Sequence, residues 1–344
     1  MKFKNVVLES YGYDLSDKFV KSSDIEDRLA SLYGKLKLPE GRLELMTGIS
    51  ERRMWEPGTK PSDLSTTAAK KCLAKSKIPA SEVDLLIHAS VCRDFLEPAT
   101  ASVVHANLGL SRHAMIFDLS NACLGVINAI VVAGNMIESG QIKTALIVSG
   151  ENGGPLLENT VDELLNNPTI DRKNIKKYIA NLTIGSAATA IMITHKSLSP
   201  DSPEILGGAV ETDSSANHLC RGDGNTHSLV METDSEELLK YGVALGQSTW
   251  QKAKTELSWD NSHVDFVLTH QVGTAHEKLS LESLELTKIK TFRTYPFLGN
   301  TGSSALPITL MMADEKGLIA KGDNVALLGI GSGLSSIMLG VKWS

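Results

Sequence analysis

The chain is short of cysteine, of long apolar runs and of excess positive charge. Its 344 residues hold four cysteines, Cys72, Cys92, Cys123 and Cys220, each standing alone. That scatter is no disulfide framework and fits a reducing, cytoplasmic setting. No run of about eighteen apolar residues occurs, so no membrane span is expected. The opening MKFKNVVLESYGYDLSDK carries no apolar stretch of secretory-signal length. Lysine and arginine number 34 against 40 acidic residues, a net charge of −6. With no basic stripe, nucleic acid is not an expected partner. His218, Cys220 and His227 match no usual zinc spacing, and their segment, 211–234, reads as an irregular solvated loop, so no metal is expected. GIGSGL after VALL is half a dinucleotide fingerprint. Only eleven residues follow Gly333, too few for a βαβ unit, and no dinucleotide cofactor is expected.

What the chain does hold is a recurring pattern. NVVLES, VDLLIHAS, TALIVSG, ATAIMIT, VDFVLTH and VALLGIG are short, β-branched runs fit to be strands buried on both faces. Helix-like stretches such as SDLSTTAAKKCLAKS and PITLMMADEKGLIA lie between them. The alternation predicts α/β layers with largely parallel sheets. Val83-Asp84-Leu85-Leu86 resembles Val264-Asp265-Phe266-Val267, and Ala145-Leu146 matches Ala326-Leu327, each at a shift of 181 residues. A repeated shift implies a duplicated unit. The expected halves are 1–175 and 176–344, with the polar stretch 155–184 holding the crossover and short helices over a site.

In IFDLSNACLGVINAIVVAGNMIESG a strand gives way to a helix at Cys123, and Gly140 is a fitting stop. Backbone N–H groups and the helix dipole favour an anion there, so a lowered thiol pKa is expected. A buried structural cysteine is the competing reading, and Cys72 and Cys220 are given it. The 181-residue shift carries Cys123 to LGNTGSSALPITL, where Asn300 sits in a glycine-bounded turn. His270 directly follows the VDFVLT run, at the edge where α/β sheets bind ligands. A thiol, an imidazole and an amide on three such turns suit thioester chemistry, with donors for a developing oxyanion.

At these residues the chain resembles the thiolase superfamily. SNACLG, THQ, LGNTGSSA and the terminal GIGSGLSS are similar to ketoacyl synthase III enzymes with a Cys-His-Asn site, and TGISERR resembles their TGI-x-x-R segment. The resemblance implies αβαβα layers, two similar halves and a homodimer. It implies one oxyanion hole from the amides of Cys123 and the Gly331-Ser332-Gly333 turn, and another from His270 and Asn300. Two features depart: HQVG stands where HQAN is usual, and no tryptophan precedes TGI.

Glu97, in RDFLEPAT, together with SGEN and HQV, resembles OleA-type condensing enzymes of olefin biosynthesis, whose glutamate reaches into the partner subunit's site. Condensing two ordinary acyl thioesters requires removal of an α-proton, and a desolvated carboxylate is a strengthened base for that step. The implied reaction is non-decarboxylative Claisen condensation of two long-chain acyl-CoA molecules through acyl-Cys123, giving a β-ketoacyl product or β-keto acid for downstream enzymes. Coenzyme A thioesters enter as substrates and no resident cofactor is implied. The alternative is decarboxylative condensation with malonyl carrier protein, which would make acyl carrier protein a partner. A 3-hydroxy-3-methylglutaryl-CoA synthase-like enzyme matches the motifs less well. A non-catalytic dimeric scaffold is opposed by the intact Cys123, His270 and Asn300.

Overall fold

The computed structural model describes residues 1–223 and 230–344. In chain order the strands are β1 (Val6–Asp14), β2 (Phe19–Lys21), β3 (Glu51–Arg53), β4 (Leu85–Ala89), β5 (Met115–Leu119), β6 (Thr144–Glu151), β7 (Ala187–His195), β8 (Glu204–Thr212), β9 (Cys220–Asp223), β10 (Val230–Thr233), β11 (Phe266–Thr269), β12 (Lys290–Thr291), β13 (Asn324–Gly331) and β14 (Ser335–Lys342). Ten of them run side by side as β12-β11-β13-β14-β8-β1-β7-β6-β4-β5. They form two ladders of five, joined where Val7 of β1 faces Glu204 of β8.

The sheet is mixed rather than largely parallel. β4 runs parallel to β5 and β6, and β11 to β12 and β13. The other five pairings are antiparallel. A strand buried on both faces has the same composition in either sense, so an apolar run does not disclose its direction. β7 pairs with β1 and β6, so the first ladder extends past the expected division at residues 175/176.

Five layers follow from which side chains each strand sends to which face. Leu85 and Ile87 of β4 point into the central core with Phe266 and Leu268 of β11. The helices Gly125–Glu138 and Ala305–Glu315 fill that core between the ladders. Ile127, Ile130 and Ile137 of the first and Leu306, Leu310 and Met311 of the second are almost wholly buried. Leu86 and Leu146 point outward beneath the helix Pro61–Lys75. Val267 and Leu328 point outward beneath the helix Ser235–Leu257, against Trp250 and Ala253. Apolar surface is thus removed from water on both faces of both ladders, the main favourable contribution to folding.

The pairing corrects one detail of the repeat. Leu85 faces Ala145 in the first half, whereas Phe266 faces Val325 in the second. Ala145 points to the central core and Ala326 to the outer face. β13 therefore answers to β6 at a shift of 180, and the Ala-Leu match at 181 joins residues on opposite faces. A slip of one residue always exchanges faces.

The segment 155–184 does form short helices, Gly154–Asn166 and Ile179–Leu182. It leads back into β7 of the first ladder instead of crossing to the second half. Leu157, Val161 and Leu182 from it pack with Ile25, Leu29 and Leu43 as a cap over the strand ends. Arg52 pins the cap from below, fully buried, donating to the carbonyls of Val20 and Leu182 and to Ser22. Within the expected loop 211–234, β9 and β10 pair as a hairpin. His227 lies outside the described residues. Among the described residues no group of metal-ligating side chains gathers, and no helix is long and apolar enough to cross a membrane.

Candidate active site

Three turns converge on one cavity of about 680 Å³, a size suited to a small-molecule ligand. Cys123, His270 and Asn300 all line it. Cys123 follows Ala122, whose φ of 45° lies in the left-handed region that side chains avoid. The turn closes with Leu124 N–H donating to Asn121 O (2.9 Å) and Gly125 N–H to Ala122 O (3.3 Å). The helix starts at Gly125, two residues beyond the thiol, and stops at Glu138 short of Gly140, as the sequence predicts. Gly125 has a packing reason: a Cβ there would lie 3.2 Å from the Ala89 carbonyl and from Ser303 Cβ.

His270 leaves β11 with its N–H donating to Leu328 O (2.9 Å). Gln271 clamps the turn, its Oε1 accepting from Thr294 N (2.8 Å) and Tyr295 N (3.2 Å). Asn300 is held by its backbone, N–H to Thr183 O and carbonyl to Gly185 N–H, both at 2.9 Å. Its side-chain Oδ1 accepts from Gly302 N (3.1 Å), which leaves the amide hydrogens for the cavity. The Asn300 side chain acts to lower the Cys123 thiol's pKa, the smallest of the influences on it.

The electrostatics reverse one expectation. The Cys123 thiol is not activated at rest: burial, with Glu151 next in effect, pushes it up to about 12. Desolvation outweighs the Cys123 backbone amide and the Asn300 side chain, because both offer dipoles against the loss of water around a full charge. His270 is driven the other way, down to about 4, by burial and then by His276. A neutral thiol and a neutral imidazole therefore stand together at neutral pH. The His270 Nδ1 is buried without a hydrogen-bond partner among the described residues.

The expected glycine turn is the hairpin between β13 and β14. A Cβ on Gly331 would fall 3.6 Å from the Cys123 nitrogen and 3.0 Å from Leu124 Cγ, so bare backbone stands against the thiol's own amide. Gly331 and Ser332 line the cavity; Gly333 lies in the turn but not on the wall. Cys220, read as a structural loop cysteine, sits on β9 and lines the cavity, as does Cys92.

Glu97 is not brought to the cavity of its own chain. It is exposed, at the tip of a loop whose ends are tightly anchored. Asp94 accepts from Ser62 N, and Asp118 accepts from Thr100 N and Ala101 N at 2.8 Å each. Between those anchors Leu96 is 94% exposed and Phe95 45%. The expected burial of Glu97 therefore does not come from its own chain.

The carboxylate that does line the cavity is Glu151, which sequence reasoning missed as a site residue. Its Oε1 accepts from Val91 N (2.9 Å), Ser303 N (3.1 Å) and Ser303 Oγ (2.6 Å), and its Oε2 from Cys92 N (3.2 Å). It bolts the turn of one half to that of the other. Its signal was the SGEN at the end of a strand, a glutamate in an otherwise apolar run.

The layers and the three convergent turns define a thiolase-fold protein. Residues 45–199 match the thiolase N-terminal domain, and residues 255–343 match the C-terminal domain of 3-oxoacyl-[acyl-carrier-protein] synthase III. Over full length the chain is 40% identical to an acyl-CoA:acyl-CoA alkyltransferase of Shewanella oneidensis and 37% to one of Xanthomonas campestris, covering 100% of both chains in each case. A β-ketoacyl-[acyl-carrier-protein] synthase III of Clostridium tetani is 29% identical over 88% of this chain and 89% of its own. A cysteine-to-alanine variant of Xanthomonas campestris OleA superposes with a TM-score of 0.94 at 37% identity, over 100% of this chain and 98% of that one. A cysteine-to-serine variant, solved with lauric acid and lauroyl-CoA, superposes with a TM-score of 0.94 at 36% identity, over 99% and 100%. The chain belongs to the OleA family of acyl-CoA:acyl-CoA alkyltransferases.

Proposed function

We propose that this protein joins two acyl-CoA molecules by non-decarboxylative Claisen condensation, as a cytoplasmic homodimer. The observation that carries this reading is the meeting of Cys123, His270 and Asn300 in one largely apolar cavity. Cys123 Sγ attacks the thioester carbon of the first acyl-CoA. The thiol is protonated at rest, so its proton is relayed by His270 to the departing coenzyme A sulfur. The acyl group stays on Cys123, and its oxyanion is held by the Cys123 amide and the Gly331-Ser332 backbone.

A second acyl-CoA then loses its α-proton to Glu97 of the partner subunit. Its enolate oxygen is held by Asn300 and His270, and the unpartnered His270 nitrogen suits a site that substrate completes. The enolate carbon attacks acyl-Cys123, the C–S bond breaks, and Glu97 returns the proton to sulfur. Hydrolysis of the β-ketoacyl-CoA gives a β-keto acid and coenzyme A, and a downstream enzyme of olefin biosynthesis takes the acid. What supports a base supplied in trans is the anchored loop presenting Glu97 directly after the exposed Phe95 and Leu96, together with the half-exposed edge strand β5. Gly333 is given a role in shaping the turn and none in direct contact.

Glu97→Gln should spare acylation of Cys123 and lower condensation by at least about 10²-fold, the usual worth of a general base. Mixing E97Q with C123A subunits should restore activity, because one site of each mixed dimer then has both groups. A mixture as inactive as its parents would show that the base acts within its own subunit or is another group.

A further inference from the structure

One side of the cavity, called its arm, is walled by residues of the second ladder's outer-face core and of the helix packed on it. Leu238, Leu284, Leu328, Ile330 and Met338 line it. Behind two of them lies the helix Ser235–Leu257, whose buried face carries Gly242, Gly246, Thr249, Trp250 and Ala253. At its C-terminal end this face is filled: Trp250 is buried, with its indole N–H donating to Asn261 Oδ1 (3.0 Å). Toward the cavity the same face carries Gly246 and Gly242, followed by Leu238 on the wall itself.

The spacing there is graded. A Cβ on Gly246 would stand 3.3 Å from Ile330 Cδ1 and 3.6 Å from Met338 Cε. A Cβ on Gly242 would stand 3.7 Å from Ile330 Cγ2, an ordinary contact. The atoms behind Gly246 are the free ends of side chains whose other surfaces line the cavity, so an added side chain moves them into the arm. Both glycines lie mid-helix, where glycine is less favourable than alanine, yet neither turns the chain nor adopts a positive φ.

We infer that Gly246 sets the acyl-chain length this enzyme accepts, by leaving Ile330 and Met338 room to retreat when a long chain fills the arm. The inference rests on the acyl-CoA reading above. Gly246 touches no substrate; it acts through the two side chains in front of it, and Gly242 serves as its control.

The test measures coenzyme A release by the full-length protein on straight-chain acyl-CoAs from octanoyl to palmitoyl, for the unaltered chain and for G242A, G246A and G246V. G246V should retain octanoyl turnover and lower kcat/KM for palmitoyl by about tenfold or more relative to octanoyl, the scale set by a few misplaced methylenes. G246A should fall between, and G242A should keep the parental profile. The melting temperature of both alanine variants should hold or rise, since alanine favours the helix. An unaltered chain-length profile in G246V, or equal loss on every chain length, would overturn the role of Gly246 alone. Failure of the unaltered protein to release coenzyme A from any of these thioesters would overturn the acyl-CoA reading and this inference with it.

Discussion

In the first half β6 ends on Glu151, a buried carboxylate; in the second the equivalent strand β13 ends on Gly331, which has no side chain. Each stands 180 residues from the other and faces the helix-opening turn of the opposite half. Glu151 accepts three hydrogen bonds at Oε1, two of them from Ser303. Gly331 brings bare backbone against the Cys123 nitrogen. Ser303 and Cys123 are themselves 180 residues apart. The same crossing of strand end and helix start is thus built twice, once as a polar bolt and once as bare backbone, which the proposed mechanism uses to seat a reacting carbonyl. A duplicated fold can carry a side chain at one strand end and leave the equivalent end bare.

The largest effect should come from withdrawing the bolt. Glu151→Ala leaves the Val91, Cys92 and Ser303 N–H groups without their acceptor, at a residue that is 3% exposed, while the Ser303 hydroxyl keeps the Ala89 carbonyl. A loss of about 3–5 kcal/mol is expected from a denaturant midpoint, as for a broken buried polar network. A loss under about 1 kcal/mol would show that the two strand ends do not differ as described. Filling the seat should cost less stability and more activity. Gly331→Ala pushes on Leu124 Cγ and approaches the Cys123 amide, so acylation of Cys123 should fall by about 10²-fold, as for a lost oxyanion donor. The accompanying overpacking should cost about 1–3 kcal/mol. Acylation at the parental rate would remove the Gly331 strand end from the oxyanion site.

The smallest effect concerns the thiol at rest. Its pKa is raised, so the protonated form persists through neutral pH and the thiolate fraction keeps growing above the point where a free thiol levels off. Alkylation of Cys123 by iodoacetamide should therefore still climb at about pH 9.5, well past the free-thiol value of about 8.5. A plateau near pH 8 would mean that the helix terminus prevails over burial.

Much of this was legible in the chain because it is local. SNACLG, THQ and LGNTG each state a turn in a few residues, and all three lie where they were expected. β4, β6, β7, β11 and β13 announced themselves as unbroken β-branched runs. β8 did not, because EILGGAVET interrupts the pattern with Gly207 and Gly208, both of which approach neighbouring backbone too closely for a Cβ. Strand direction was hidden because burial on both faces erases the alternation that would distinguish the pairings. The thiol's pKa was misjudged because a helix terminus can be read from sequence and desolvation cannot. Glu97 could be picked out by its neighbours, but whether a carboxylate on an exposed tip meets a partner's cavity is a property of two chains.

The most direct measurement gives the purified protein one long-chain acyl-CoA and nothing else, following free coenzyme A and the carbon skeleton of the product by mass spectrometry. Condensation without decarboxylation of an extender requires coenzyme A release together with a β-keto acid, or its decarboxylated ketone, built from two copies of the same chain. Acylated Cys123 with no joined product until malonyl carrier protein is added would contradict it and return the enzyme to decarboxylative chemistry.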